Sequence, residues 1–144
     1  MEKIAKKYNN LVKIHRGLAL SIKRYQEALS DKNTDIETRE ERRDSLIKRF
    51  ELTYDLLWKY LREYMIAVHG TSPDSPRKVF QECLSLGITN REETAQLIDL
   101  IEDRNLTAHV YDIELANQVA ADIQKHHDVI DTIIKKITLE TIKN

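Results

Sequence analysis

A short polar segment, residues 102 to 112, is the part of this 144-residue sequence best suited to chemistry. Its side chains that can handle phosphate or protons are Asp103, Arg104, Asn105, His109 and Tyr111. An arginine presents a bidentate fork to phosphate, and an imidazole can move a proton near neutral pH. On a continuous helix Asn105 and His109 would share one face, with Arg104 on the neighbouring line. The same segment could instead merely close a helix, with Asp112 capping the next one.

The other four histidines are interpreted as structural, and we predict no metal site. His15 lies on the apolar stripe of the first helix, so we expect it to be packed and hydrogen-bonded. His69 ends the second helix, where a donor suits the terminal carbonyls. His126 and His127 are adjacent and project about 100° apart on a helix, so they cannot chelate one ion together. Asp122 and His126 could share a metal, but two ligands make a poor site, so we expect these two residues to lie on a solvated face.

The sequence lacks the motifs of a nucleotide-transferring active site. Its three glycines, Gly17, Gly70 and Gly87, are isolated, so neither a P-loop nor a dinucleotide fingerprint is present. No predicted strand carries the paired carboxylates that hold magnesium in such enzymes. The 23 basic and 24 acidic residues give a net charge of −1, which excludes the global field of a general nucleic-acid or membrane binder. A local basic patch remains possible.

Length and composition indicate one globular domain, residues 1–144, with a substantial core. A single cysteine, Cys83, cannot form an internal disulfide and favours a reducing, cytoplasmic setting. The N-terminus does not resemble a signal peptide, and no stretch approaches about 18 uncharged apolar residues, so we expect no membrane span.

Helical spacing of apolar residues runs through the whole chain, and no segment alternates long enough to predict a strand. The first helix is expected over about residues 3–29, and Gly70 suits the left-handed end of the second. Expected N-caps of the later helices are Thr34 or Asp35, Ser75, Thr89 or Asn90, and Asp112. We therefore predict an all-α fold, an up-and-down antiparallel helical bundle of four main helices plus one short helix.

The second helix has two apolar sides. Besides its main stripe it carries a second line of Leu52, Leu56 and Tyr60, with Trp58 near its edge. One side is expected to face the core and the other a further helix or another chain. We therefore predict a homodimer through this second line or through the face around His109.

The polar segment also carries a family resemblance. Arg104, His109 and Tyr111 match the Arg-x4-His-x-Tyr motif of the HEPN superfamily, all-helical proteins often encoded beside minimal nucleotidyltransferases. The sequence resembles in particular the branch called nucleotidyltransferase substrate-binding proteins. That resemblance rests on residues 49–61, 75–79 and 103–109 and extends over about residues 5 to 135.

The resemblance implies a binding and assembly protein, usually dimeric, that docks a separately encoded minimal nucleotidyltransferase. That partner would carry the catalytic carboxylates and use Mg²⁺ and a nucleoside triphosphate, while this chain would hold no cofactor. The implied substrate-binding residues are Asp103, Arg104, Asn105, His109 and Tyr111.

A second function implied by the same resemblance is that of a metal-independent endoribonuclease toxin, restrained by its partner. Arg104 would then bind the scissile phosphate of RNA, and His109 would act as general acid or base. Asn105 would orient the substrate or His109. Tyr111 would be a candidate modification site, because the partner adenylylates this tyrosine in some HEPN toxins.

Overall fold

The computed structural model describes residues 2–143, and among these residues it contains helices and no strand. In chain order the elements are α1 (Glu2–Ser30), α2 (Ile36–His69), α3 (Pro76–Ser85), α4 (Arg91–Leu106), a 3₁₀ turn (Thr107–His109), α5 (Ile113–Lys136) and α6 (Leu139–Lys143). The predicted all-α fold is confirmed. The short helix α6 was not expected, because the apolar spacing ran on through Ile137, which instead ends α5 as its C-cap.

Local capping chemistry defines where the helices begin. Asp35 rather than Thr34 caps α2, accepting a 2.7 Å hydrogen bond from the Thr38 amide. Asn90 rather than Thr89 caps α4, where it forms a reciprocal capping box with Glu93. The remaining expected N-caps, Ser75 and Asp112, are both present.

Contacts between the helices define their directions. Lys7 near the start of α1 pairs with Glu63 near the end of α2, so these two helices run antiparallel. Arg43 and Asn117, near the starts of α2 and α5, are hydrogen-bonded at 3.2 Å, so α2 and α5 run parallel. Glu93 in the first turn of α4 pairs with the last residue of α5, so α4 opposes α5. The four long helices thus alternate up and down, and α3 lies in the α2–α4 connection.

The core lies between these helices and includes residues of α1 to α5. Tyr60 is fully buried rather than on an open second side of α2, because Tyr8 packs against its ring and its hydroxyl donates a 2.8 Å hydrogen bond to the Ile137 carbonyl. Leu52 is 38% exposed and Leu56 is partly buried, so only part of the second apolar line is open. None of the described helices is long and apolar enough to cross a membrane.

Candidate functional site

The polar segment is not one continuous α-helix. Helix α4 ends at Leu106, with Thr107 as its C-cap, and the chain tightens into the 3₁₀ turn before α5 begins. The α-helical face that Asn105 and His109 were expected to share therefore does not extend to His109. The chain turns here because Thr107 bonds back to α4: its hydroxyl donates a 2.7 Å hydrogen bond to the Arg104 carbonyl.

Arg104 is held by two elements at once. One terminal nitrogen, Nη1, donates to the Thr107 hydroxyl at 2.9 Å and lies 3.0 Å from Oε2 of Glu51 on α2. The other, Nη2, is 3.9 Å from Oδ2 of Asp55, one turn further along α2. The side chain is 29% exposed, so the guanidinium is fixed in direction yet open to solvent at its edge. Such a guanidinium can bind an anionic oxygen in a defined orientation.

Sequence reasoning missed the three residues that hold Arg104. Glu51 and Asp55 are four apart on α2, so their carboxylates share one helix face, and this spacing was visible in the sequence. Nothing in the sequence showed that α4 would bring Arg104 to that face. Thr107 lies inside the polar segment but was not among the candidate residues, because a threonine hydroxyl gave no sign that it would bond to Arg104.

His109 and Tyr111 form a separate, outward-facing pair. The Tyr111 hydroxyl lies 3.4 Å from Nδ1 of His109, and the two rings meet edge to face with centroids 6.0 Å apart. His109 is exposed and Tyr111 is 82% exposed, so both are accessible to a ligand or a partner. Among the described residues, no hydrogen bond joins either of them to Arg104, and Asn105, in the last turn of α4, is exposed.

Asp103 lies at the contact between α4 and α5. Its Oδ2 lies 2.5 Å from Nε2 of His126 on α5, and His126 is 1% exposed and stacked on Phe50 at 5.3 Å. His126 is thus buried and hydrogen-bonded: its structural role is as predicted, but the solvated face expected for it is wrong. The carboxylate of Asp103 joins α4 to α5 directly before Arg104, and it thereby helps to fix where Arg104 emerges.

A buried tyrosine supports the Arg104 cluster from α2. Burial, reinforced by the carboxylate of Asp55 and opposed by the guanidinium of Arg104, raises the pKa of Tyr54 to about 12. Tyr54 is therefore a neutral packing residue at physiological pH, and its ring meets Phe80 of α3 edge to face. The charged groups of this cluster are consequently Arg104 and the two α2 carboxylates.

A family model matches most of this chain. The family is described as nucleotidyltransferase substrate binding protein like, and the match covers residues 13–138, which include the whole polar segment. The chain belongs to this family. The family resemblance found in the sequence is thereby confirmed. A search of curated proteins finds no match to the chain.

Several solved structures are similar to this chain in fold. HI0074 from Haemophilus influenzae, described as having the fold of a substrate binding domain of a nucleotidyltransferase, is similar with a TM-score of 0.74 at 18% identity, over 95% of this chain and 99% of that one. A Thermus thermophilus protein is similar with a TM-score of 0.66 at 23% identity, over 83% of this chain and 97% of that one. A chain from the MntA-HpeT toxin-antitoxin structure is similar with a TM-score of 0.65 at 18% identity, over 89% of this chain and 96% of that one. These likenesses support the helical-bundle fold.

Proposed function

We propose that this protein is the substrate-binding partner subunit of a two-component minimal nucleotidyltransferase, and that it docks a separately encoded nucleotidyltransferase chain. The observation that carries the proposal is the family match over residues 13–138. HI0074 is described as having the fold of a substrate binding domain of a nucleotidyltransferase, and MntA-HpeT is a toxin-antitoxin pair, so both descriptions agree with a protein that works with a second chain or domain. Because this sequence has no nucleotidyltransferase motif, the partner would supply the catalytic carboxylates, the Mg²⁺ and the nucleoside triphosphate.

Arg104 would be the main anion-binding group. Its Nη1 is held at 3.0 Å by Glu51, whereas its Nη2 is 3.9 Å from Asp55 and is the more loosely held of the two. A phosphate or carboxylate of the substrate would bind at Nη2 with the guanidinium already oriented. Glu51 and Thr107 would then be positioning residues, because they fix the arginine without touching the ligand.

His109 would transfer protons in this site, and the Tyr111 hydroxyl would be the group that accepts a transferred nucleotide. Their exposure and their 3.4 Å separation allow the imidazole to exchange a proton with the tyrosine hydroxyl. A partner-bound nucleotide could reach Tyr111, which is 82% exposed, so modification of this hydroxyl is part of the proposal. Asn105 would orient the substrate beside them, while Asp103 would position α4 through His126.

The homodimer expected from the sequence would form across α1 and α2. Leu20, 44% exposed, and the partly buried Leu56 border an open groove of about 580 Å³ between these helices, and exposed Leu52 lies one turn from Leu56. A second copy is the occupant we favour, because the same apolar residues of that copy would cover this exposed line. Sedimentation velocity at tens of micromolar should show a dimer that Leu52→Arg converts to monomer, and a monomeric wild-type chain would contradict this arrangement.

Co-expression with the small nucleotidyltransferase encoded beside this protein tests the main proposal. An affinity tag on the nucleotidyltransferase should retain this protein in near-equimolar amount after washing. A minimal nucleotidyltransferase from an unrelated operon, carrying the same tag, is the control and should not retain it. Clean separation of the two native partners at micromolar concentration would overturn the proposal.

A metal-independent ribonuclease activity is the second candidate function. Arg104 and the exposed imidazole of His109 on the same short segment favour it, because they match the charge-stabilising and proton-transferring groups that phosphodiester cleavage needs. RNA should then be cleaved in the presence of EDTA, and Arg104→Ala or His109→Ala should each slow cleavage by about 100-fold or more. Arg24→Ala, which removes an exposed arginine of α1, serves as control. Cleavage that survives both site substitutions would refute this activity.

A further inference from the structure

Three side chains able to bind a metal converge between α1 and α5, and none of them belongs to the Arg104 cluster. His15 projects from α1, while His127 and Asp131 lie one turn apart on α5. One ligand atom from each residue lies within 4.8 Å of the other two. The sequence showed that the adjacent His126 and His127 cannot chelate one ion together, and the structure shows that His127 has different partners, one of them from another helix.

The spacing of these groups is close to that of a coordination shell. Nε2 of His15 lies 3.3 Å from Oδ1 of Asp131, and two ligands of a tetrahedral zinc ion, bonded at about 2.0–2.1 Å, stand about 3.3–3.4 Å apart. The rings of His15 and His127 are stacked with centroids 4.3 Å apart and an interplanar angle of 9°. Because nitrogen lone pairs lie in the ring planes, the stacked rings do not yet aim at one point, and His127, whose side chain is 18% exposed, would have to rotate out of the stack to complete the shell.

The surroundings of the three ligands fit metal binding. His15 is 6% exposed, so its imidazole is largely shielded from water. Its Nδ1 is buried with no hydrogen-bond partner among the described residues. Asp128 lies 3.1 Å from Nδ1 of His127, the outer-shell carboxylate that orients many metal-bound histidines. Lys135 pairs with Oδ2 of Asp131 at 2.7 Å, which leaves Oδ1 facing His15.

We propose that His15, His127 and Asp131 bind one divalent transition-metal ion of the zinc class and so clamp α1 to α5. Two imidazole nitrogens and one carboxylate oxygen suit zinc and its neighbours, whereas Mg²⁺ and Ca²⁺ prefer all-oxygen sites. Three protein ligands leave a fourth position for water or an external ligand. Asp131, with 37% of its side chain exposed, gives the ion an entry path from solvent.

Zinc titration of the chelator-treated full chain tests this site. Equilibrium dialysis with elemental analysis should give one Zn²⁺ per chain at micromolar concentration, and bound Zn²⁺ should raise the melting temperature. His127→Gln and Asp131→Asn should each weaken Zn²⁺ binding by about 10-fold or more. His69→Gln, which removes an exposed histidine of α2, is the matched control and should bind like the wild-type chain.

A spectroscopic readout separates the site from general surface binding. Co²⁺ should give the visible bands of a low-coordinate nitrogen and oxygen site in the wild-type chain and in the His69→Gln control, and these bands should be absent in Asp131→Asn. Circular dichroism of the metal-free variants should confirm that they remain folded, because both altered side chains are partly exposed. Failure to bind Zn²⁺, or binding that is equal in all four proteins, would overturn the proposal.

Discussion

Asp103→Ala tests whether this carboxylate holds the two helices together or is needed only for substrate. The substitution removes the partner of His126 Nε2, which is 2.5 Å away in the structure. Because His126 is 1% exposed, water cannot replace the lost partner without opening the α4–α5 contact. An unsatisfied buried group of this kind costs about 1–3 kcal/mol in the free energy of unfolding. For a domain of this size the melting temperature should fall by roughly 3–12 °C.

Urea unfolding followed by far-ultraviolet circular dichroism measures this loss. Asp99→Ala, an exposed substitution on the same helix, is the matched control and should change the free energy of unfolding by less than about 0.5 kcal/mol. Asp103→Asn keeps an oxygen that can accept from the imidazole, so it should cost less than Asp103→Ala. If Asp103→Ala and Asp99→Ala were equally stable, the positioning role of Asp103 would be wrong.

Three further substitutions test the fold. Tyr60→Phe removes the buried hydroxyl that donates to the Ile137 carbonyl at the end of α5, so the free energy of unfolding measured in urea should fall by about 1–2 kcal/mol. The control is Tyr64→Phe, at another buried tyrosine, which should lower it by less than about 0.5 kcal/mol. Gly70→Ala places a side chain at a φ of 70° and should lower the free energy of unfolding in urea by about 1–2 kcal/mol. An unchanged midpoint of the urea transition would contradict the left-handed cap. The hydrogen bond from Lys136, together with the Asn90 backbone amide, lowers the pKa of the Glu93 carboxyl. A lowered folded pKa contributes stability above the ordinary carboxyl pKa and loses it as the pH falls through the folded value. The cost of Lys136→Met, up to about 1 kcal/mol at pH 7, should therefore shrink as the pH falls below the ordinary carboxyl pKa in a pH series of melts, and a pH-independent cost would refute the pair.

Local features of this fold could be predicted from the sequence, because they depend on neighbouring residues. Asp35, Ser75, Asn90 and Asp112 cap helices where their spacing to the apolar stripes indicated, and Gly70 takes the left-handed conformation. These interactions span three to five residues, so one sequence contains all the information needed.

The arrangement of the candidate site depends on contacts between helices and was only partly predictable. The residues of the polar segment were identified, but the end of α4 at Leu106 and the pairing of Arg104 with Glu51 depend on how α2 packs. The same reason explains the cluster around His15: its partner Asp131 lies 116 positions further along the chain. Spacing within one helix cannot show such contacts, so His15 was correctly expected to be buried and hydrogen-bonded, while its contacts with His127 and Asp131 were not expected.

The most direct test of the proposed function is the molecular mass of a mixture of the two purified chains. This protein and the small nucleotidyltransferase encoded beside it would be mixed in equimolar amounts at about 10 µM and separated by size-exclusion chromatography with light scattering. We expect a single species that contains both chains, with a mass above that of either one alone. Two species that elute at the masses of the separate proteins would contradict it.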